Sequence, residues 1–206
     1  MKQRNLILVR HGQSEWNEKN LFTGWENPGL TQKGEKEAKN AGKIINSLGI
    51  NFDYLYTSAL IRAQLTGSII LSEINQKNVN IIENKALNER FYGDLQGLNK
   101  DECRKKWGDE KVQMWRRSYD KGPPGGETLK QTGERVVPYF REEIEPLVKH
   151  GSNILIAAHG NSLRSLIKFL DNVSDQDIVK LEIPTGAPIH YVFDSNVKVV
   201  QRNNLF

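Results

Sequence analysis

The sequence predicts an α/β fold: a three-layer sandwich around a mainly parallel sheet, with a helical lid region beside the core. Three observations predict it. Strand-like and helix-like segments alternate through most of the chain, the signature of strand–helix–strand units. Leu6–Val9 and Asn153–Ala158 are nearly unbroken apolar runs, as strands covered on both faces are. Both runs lead into the same dipeptide, His11-Gly12 and His159-Gly160, as two parallel strands that end at one edge of a sheet can.

In chain order, Leu6–Val9 is the first strand, and a polar loop is expected from Gly12 to Gly29. Thr31 is placed as the N-cap of a helix through TQKGEKEAKNAGKIINSLG, with Gly49 as its stop. Asp53–Tyr56 is a second short strand, Ser58 precedes a helix over ALIRAQLTGSIILSEI, and Val79–Ile82 is a third strand. Asn84–Gly97 reads as a loop. Asn99 to about Tyr119 reads as one charged helix carrying Trp107, Met114 and Trp115, and KGPPGGET breaks it. A helix from about Thr128 to Lys149 contains Pro138 and Pro146, which kink or split it. After the fourth strand, Asn161 opens NSLRSLIKFLD. Ile189–Phe193 and Val197–Val200 form a hairpin around Asp194-Ser195-Asn196, which adds an antiparallel strand. The 206 residues make one domain, with roughly 95–131 as the lid within it.

Composition narrows the function. The net charge of +4 suits anionic small molecules. The Lys and Arg residues are spread out, with no block of five or more, which argues against nucleic acid as partner. A single cysteine, Cys103, permits no internal disulfide and fits a reducing compartment. The short apolar run near the N-terminus suits neither a signal peptide nor a membrane span. The expectation is a cytoplasmic protein without membrane partners.

The chemistry is expected beyond the carboxyl ends of the parallel strands. His11 and His159 hold two of the chain's four histidines in one strand-end context. The glycine after each lets a ligand approach the backbone. His150 is read as a helix-end residue interacting with the helix dipole, and His190 is given no chemistry. Arg10 beside His11 and Arg164 near His159 oppose a divalent cation, and no HxH or HxxxH spacing occurs. No metal is expected. Arg62, Lys100 and the pair Arg116-Arg117 are cationic candidates. That pair reads either as a solvated helix face or as a clamp for phosphate and carboxylate. Glu89, in ALNERFYGDLQG, is a candidate proton carrier.

Seven passages resemble the histidine phosphatase superfamily and, within it, the cofactor-dependent phosphoglycerate mutases. They are LVRHGQSEWN, LFTGWENPGLTQKG, TSALIRAQLT, LNERFYGDLQGLNK, WRRSYDKGPP, AAHGNSLRSLIK and IPTGAP, in family order over most of the chain. The RHG motif marks only the superfamily. ERFYGDLQGLNK with WRRSYD and its prolines points to the mutase branch.

The resemblance implies a function and its residues. His11 would become phosphohistidine, primed by 2,3-bisphosphoglycerate, and Glu89 would be general acid and base. Arg10, Arg62 and His159 would surround the transferring phosphoryl group. Ser14, Asn17, Thr23, Gly24, Arg90, Tyr92, Lys100, Arg116, Arg117, Gly160 and Asn161 would bind the phosphoglycerate. The net reaction would exchange 2- and 3-phosphoglycerate, a step of glycolysis and gluconeogenesis, with no metal. The rival readings are a phosphatase using the same His11 with water as acceptor, and a non-catalytic scaffold, which the presence of His11 and Glu89 opposes. Longer mutases carry an extra segment after the PPGGET region. Its shortening here predicts a more open entrance and faster loss of phosphate to water, and it argues against simply inheriting the family's oligomeric contacts, which leaves a homodimer or a monomer.

Overall fold

The first strand, β1 (Arg4–Arg10), is buried from Asn5 to Val9 because it lies inside a sheet covered on both faces. The computed structural model describes residues 4–206. The sheet has six strands in the order β3-β2-β4-β1-β5-β6. β2 (Tyr54–Thr57), β3 (Asn80–Glu83) and β4 (Ile154–Ala158) run parallel with β1. The C-terminal hairpin contributes two antiparallel strands, β5 (Pro188–Phe193) and β6 (Val199–Asn204). β6 starts two residues later than expected because Val197 lies in the turn at φ +60°.

Alternation along β1 makes the two outer layers. Leu6 and Leu8 face Val136, Phe140, Val148 and Leu166. Those residues belong to α6 (Leu129–Tyr139), a π-helical turn (Phe140–Ile144), α7 (Glu145–Lys149) and α8 (Gly160–Leu170). Ile7 and Val9 face Ala41, Ile45 and Ile70 on the other side, on α2 (Gln32–Asn46) and α3 (Ile61–Glu73). Each fully buried Leu or Ile contributes about 1.5–3 kcal/mol relative to exposure. The three-layer sandwich is therefore present, with its mainly parallel sheet.

Local differences have local causes. The loop expected from Gly12 to Gly29 contains a short helix, α1 (Glu15–Glu18), because Ser14 and Asn17 cap each other's backbone. Thr31 caps α2 as expected, accepting from the Gly34 N–H. The helix stops at Asn46, and Gly49 takes a left-handed conformation at φ +62° just beyond. The charged helix read as continuous is two: α4 (Lys100–Trp107) and α5 (Asp109–Arg117). Gly108 between them sits at φ +85°, which no helix contains. The long helix is split as expected, with Pro146 in the first turn of α7 and the π turn between the pieces. His159, rather than Asn161, stands at the N-cap of α8.

A third apolar cluster joins Phe22 and Leu95 to Cys103, Val112 and Trp115 of α4 and α5. It seats the lid region on the core. Cys103 is buried in it, and burial, followed by the nearby Glu102, raises its thiol pKa, consistent with a packing role.

Gly12 has a different use from the one expected. A Cβ there would lie 2.1 Å from the carbonyl oxygen of Gly34. The glycine therefore allows the β1 exit to press against the start of α2. Gly12→Ala is expected to force these backbones apart and cost ~1–3 kcal/mol, measured as a lower midpoint in urea denaturation.

Candidate active site

Register places the site. β1 and β4 pair Arg10 with Ala158, and the His11 N–H extends the ladder by donating to the Ala158 carbonyl at 2.9 Å. The next residues, His11 and His159, therefore emerge side by side, their ring centroids 4.9 Å apart at 60°. His11 lies at the floor of a cavity of about 180 Å³, with His159 packed beneath it. α3 brings Arg62 to it, the loop after β3 brings Glu89 and Tyr92, and the α1 region brings Asn17, Thr23 and Gly24. The lid adds Lys100, Arg116 and Arg117. The lining holds six cations (Arg10, Arg62, Lys100, Arg116, Arg117, Arg164) and two carboxylates (Glu89, Glu182). Such a cavity attracts a multiply charged anion.

His11 is 3% exposed. Its Nδ1 lies 2.6 Å from the Gly12 carbonyl oxygen. A carbonyl only accepts, so Nδ1 carries the proton and Nε2 carries the lone pair. Burial holds the pKa of His11 well below its ordinary value, and the Arg62 and Arg10 charges add to the effect. The ring is neutral at physiological pH, with one nucleophilic nitrogen. His159 is fully buried and neutral for the same leading reason, with Arg62 and His11 next. Its Nε2 is 2.7 Å from Ser58 Oγ.

Arg62 is 1% exposed and is fixed by the carbonyls of Glu26 and Gly24, which accept from Nη1 at 2.8 Å and Nη2 at 2.9 Å. Burial pulls its pKa down to about 10, so it remains cationic. Arg10 Nη1 donates to the Ile183 carbonyl at 2.7 Å. Glu89 is buried, and its Oε1 accepts from the backbone N–H of Arg90 at 2.7 Å and of Asn161 at 3.2 Å. Its Oε2 lies 3.7 Å from where a Cβ on Gly160 would stand. Glycine at 160 thus leaves the space between Glu89 and Arg10 open. Among the described residues, Arg10 Nε, Arg62 Nε, Thr23 Oγ1 and His159 Nδ1 are buried without a protein hydrogen-bond partner. An anion's oxygens fit such a set of donors.

The predicted residues come together with three qualifications. Ser14 is fully buried as the cap of α1 and does not line the cavity. It donates its N–H to Asn17 Oδ1 at 3.1 Å, which turns the amide nitrogen of Asn17 free for other use. Arg90 is likewise absent from the lining. It is fully buried behind it, donating from Nη2 to Tyr92 Oη at 3.0 Å and to the Arg116 carbonyl at 2.9 Å. His159 lies beneath the lining, against His11. Arg116 and Arg117 both reach the cavity, so the solvated-face reading does not hold. Arg117 forms an ion pair with Glu182.

Several lining residues were not singled out from sequence. Leu181, Glu182 and Ile183 enter from the loop before β5, and Phe22 from the loop after α1. Arg164, read only as a cation near His159, donates to Asn161 Oδ1 at 3.0 Å. Its position three residues after Asn161 on one helix face was the available signal.

Residues 6–205 match the family model of the histidine phosphatase superfamily (branch 1). The chain belongs to the histidine phosphatase superfamily. Among its relatives is a 2,3-bisphosphoglycerate-dependent phosphoglycerate mutase of Parvibaculum lavamentivorans, 60% identical over 97% of this chain and 95% of that protein. A protein of the same name from Brucella anthropi is 54% identical over 98% of each chain. The fold is shared with a mycobacterial glucosyl-3-phosphoglycerate phosphatase solved with vanadate (VO3), at TM-score 0.82 and 19% identity over 98% of this chain and 97% of that one. In this superfamily member, then, the RHG passage is the end of a central strand, and its histidine faces a second histidine across the β1–β4 ladder. No helix among the described residues is long and apolar enough to cross a membrane.

Proposed function

We propose that this chain is a 2,3-bisphosphoglycerate-dependent phosphoglycerate mutase, one 206-residue domain that exchanges 2- and 3-phosphoglycerate through a phosphohistidine at His11. The observation that carries the reading is His11 itself: buried, neutral, with Nδ1 tied to Gly12 and Nε2 left as nucleophile beside Glu89 and a cluster of cations.

The steps follow from that geometry. With a phosphoryl group on His11 Nε2, the Glu89 carboxylate takes the proton of the substrate hydroxyl. That oxygen bonds to phosphorus as the P–N bond breaks, and the electron pair returns to Nε2. The bound bisphosphate then reorients. His11 Nε2 attacks the other phosphorus, and protonated Glu89 returns its proton to the leaving oxygen. Each half-reaction moves one phosphoryl group and one proton. Arg10 and Arg62 neutralise the equatorial oxygens during transfer, and the neutral His159, its Nε2 accepting from the Ser58 hydroxyl, donates to them from Nδ1. Asn17, Thr23, Gly24, Gly160 and Asn161 add neutral donors. Tyr92, Lys100, Arg116 and Arg117 hold the charged end that does not react. A phosphate carries about −1.5 to −2 at neutral pH, so the bisphosphate suits six cations set against two carboxylates.

2,3-Bisphosphoglycerate is the primer because it delivers the first phosphoryl group to His11. The deciding experiment is conversion of 3- to 2-phosphoglycerate with and without catalytic bisphosphate, in EDTA. Strong stimulation and indifference to EDTA support the reading. Release of inorganic phosphate without isomerisation overturns it in favour of a phosphatase.

Lys100 adds a pH signature. Burial, with Arg116 and Arg10 nearby, pulls its pKa down to about 8. The protonated form binds an anion better, so affinity falls as pH rises through that value. KM for 3-phosphoglycerate is expected to climb above about pH 8, and Lys100→Arg, which keeps its charge, to flatten that rise.

A further inference from the structure

We propose that Arg135 is a positioning residue for Glu89, holding the loop that carries it in register with the lid edge. The proposal rests on Glu89 as the proton carrier. A guanidinium has five N–H donors, and in Arg135 each meets an acceptor. Nη1 donates to the carbonyls of Ala86 at 2.8 Å and Asn88 at 3.0 Å. Nη2 donates to the carbonyl of Glu89 itself at 2.8 Å and to Glu127 Oε2 at 2.9 Å, and Nε to Glu127 Oε1 at 2.9 Å. One side chain of α6 thus gathers three carbonyls from the stretch 86–89.

Glu127 closes the clamp from the other side. Its Oε2 accepts from the Phe91 N–H at 2.8 Å, and its own N–H donates to the Phe91 carbonyl at 2.8 Å. The loop around Glu89 is thereby tied to the segment that follows the two prolines. Trp25 Nε1 donates to the Glu89 carbonyl at 2.6 Å, with the Arg135 guanidinium 5.6 Å from its ring. Asn88 Oδ1 accepts from Ala59 N–H at 3.0 Å, which fixes the loop to the exit of β2. The Glu127–Arg135 pair is about one-fifth exposed on both sides, so water competes weakly for it.

The consequence falls on the carboxylate. Glu89 Oε1 depends on two backbone N–H groups, from Arg90 and Asn161, that belong to different segments. A shift of the loop breaks that match and moves Oε2 away from the substrate oxygen. Misplacement of a catalytic group by about 1 Å costs on the order of 10²-fold. Lysine cannot replace Arg135, since three donors on a single nitrogen cannot serve acceptors arranged as a fork.

The test uses the leaving group. Protonation by Glu89 matters when an alkoxide leaves and hardly matters when p-nitrophenolate leaves. Phosphorylation of His11 is measured in a single turnover with 2,3-bisphosphoglycerate and, separately, with p-nitrophenyl phosphate. Arg135→Met and Arg135→Lys are expected to slow the first by ~10²-fold and the second by less than ~3-fold. Glu89→Gln, as reference, is expected to show the same selectivity. Equal losses with both donors in a folded Arg135 variant overturn the proposal. An Arg135 variant that fails to fold passes the decision to Glu127→Gln, which keeps the carbonyl bonds and is expected to show the same selectivity at reduced size. No selectivity there overturns the proposal too. If Glu89→Gln itself shows none, the role given to Glu89 is what fails.

Discussion

His11→Ala is expected to lower mutase turnover by at least ~10⁴-fold and to leave no acid-labile phosphate on the protein after exposure to labelled 2,3-bisphosphoglycerate. No other histidine is placed to substitute. His159 Nε2 is engaged by Ser58 and its ring lies under His11. His150 Nδ1 lies against the Pro146 carbonyl at 2.6 Å, at the end of α7. His190 Nε2 is 2.9 Å from Asn5 Oδ1, within the sheet. The substitution removes a ring from the cavity floor and leaves the Ala158 hydrogen bond to the backbone of residue 11 in place. The protein should remain folded, so a circular dichroism melt close to the parent accompanies the loss. Labelled phosphate on His11→Ala at the parent level would place the nucleophile elsewhere.

Residue patterns carried the frame of this site. LILVR and ILIAA are β-rich apolar runs of the kind that a sheet covered on both faces accommodates, and each is followed by His-Gly. The pairing of β1 with β4, which makes the two histidines neighbours, joins residues about 150 positions apart. Local pattern suggested that pairing through the repeated dipeptide and through nothing else. Thr31 and the two prolines were legible because capping and ring closure act within one turn of helix.

The errors have the opposite origin. DECRKKWGDEKVQMWRR keeps a helical charge pattern across Gly108, so the break at φ +85° was masked by its flanks. Ser14 and Arg90 lie inside passages to which the family resemblance assigns substrate binding, and such a resemblance gives a passage's residues one task. The fold separates them: Ser14 caps α1 and sets Asn17, while Arg90 holds Tyr92 and the Arg116 backbone. Gly12 was read as an opening toward ligand, and its missing Cβ instead makes room for Gly34. Arg135 donates to main-chain carbonyls 46 to 49 positions away, and the Ile183 carbonyl accepts from the Arg10 guanidinium 173 positions away; contacts made through main-chain carbonyls leave no side-chain pattern to announce either residue.

Arg62→Met is expected to lower turnover by ~10²–10³-fold and to move the acid limb of the pH–rate profile to higher pH. The two effects have separate causes. The first is the loss of a cation from the transferring phosphoryl group. The second acts through His11. Burial is the main reason its pKa is low, and the Arg62 charge is the next. Without that charge the imidazole protonates more readily, so its pKa rises. A protonated ring has no lone pair on Nε2, and activity is lost as pH falls through the new, higher value. Well above it, this part of the defect vanishes and only the loss of charge at the phosphoryl group remains. Methionine also leaves the carbonyls of Gly24 and Glu26 without their donor, a cost of about 1–3 kcal/mol in stability. Arg62→Lys separates the contributions: it keeps the positive charge near His11 and loses the fork that holds those carbonyls. It should therefore retain most of the parental acid limb while turning over slowly. An acid limb unchanged in Arg62→Met would mean that burial and the Arg10 charge suffice to keep His11 neutral, and that Arg62 acts only on the phosphate.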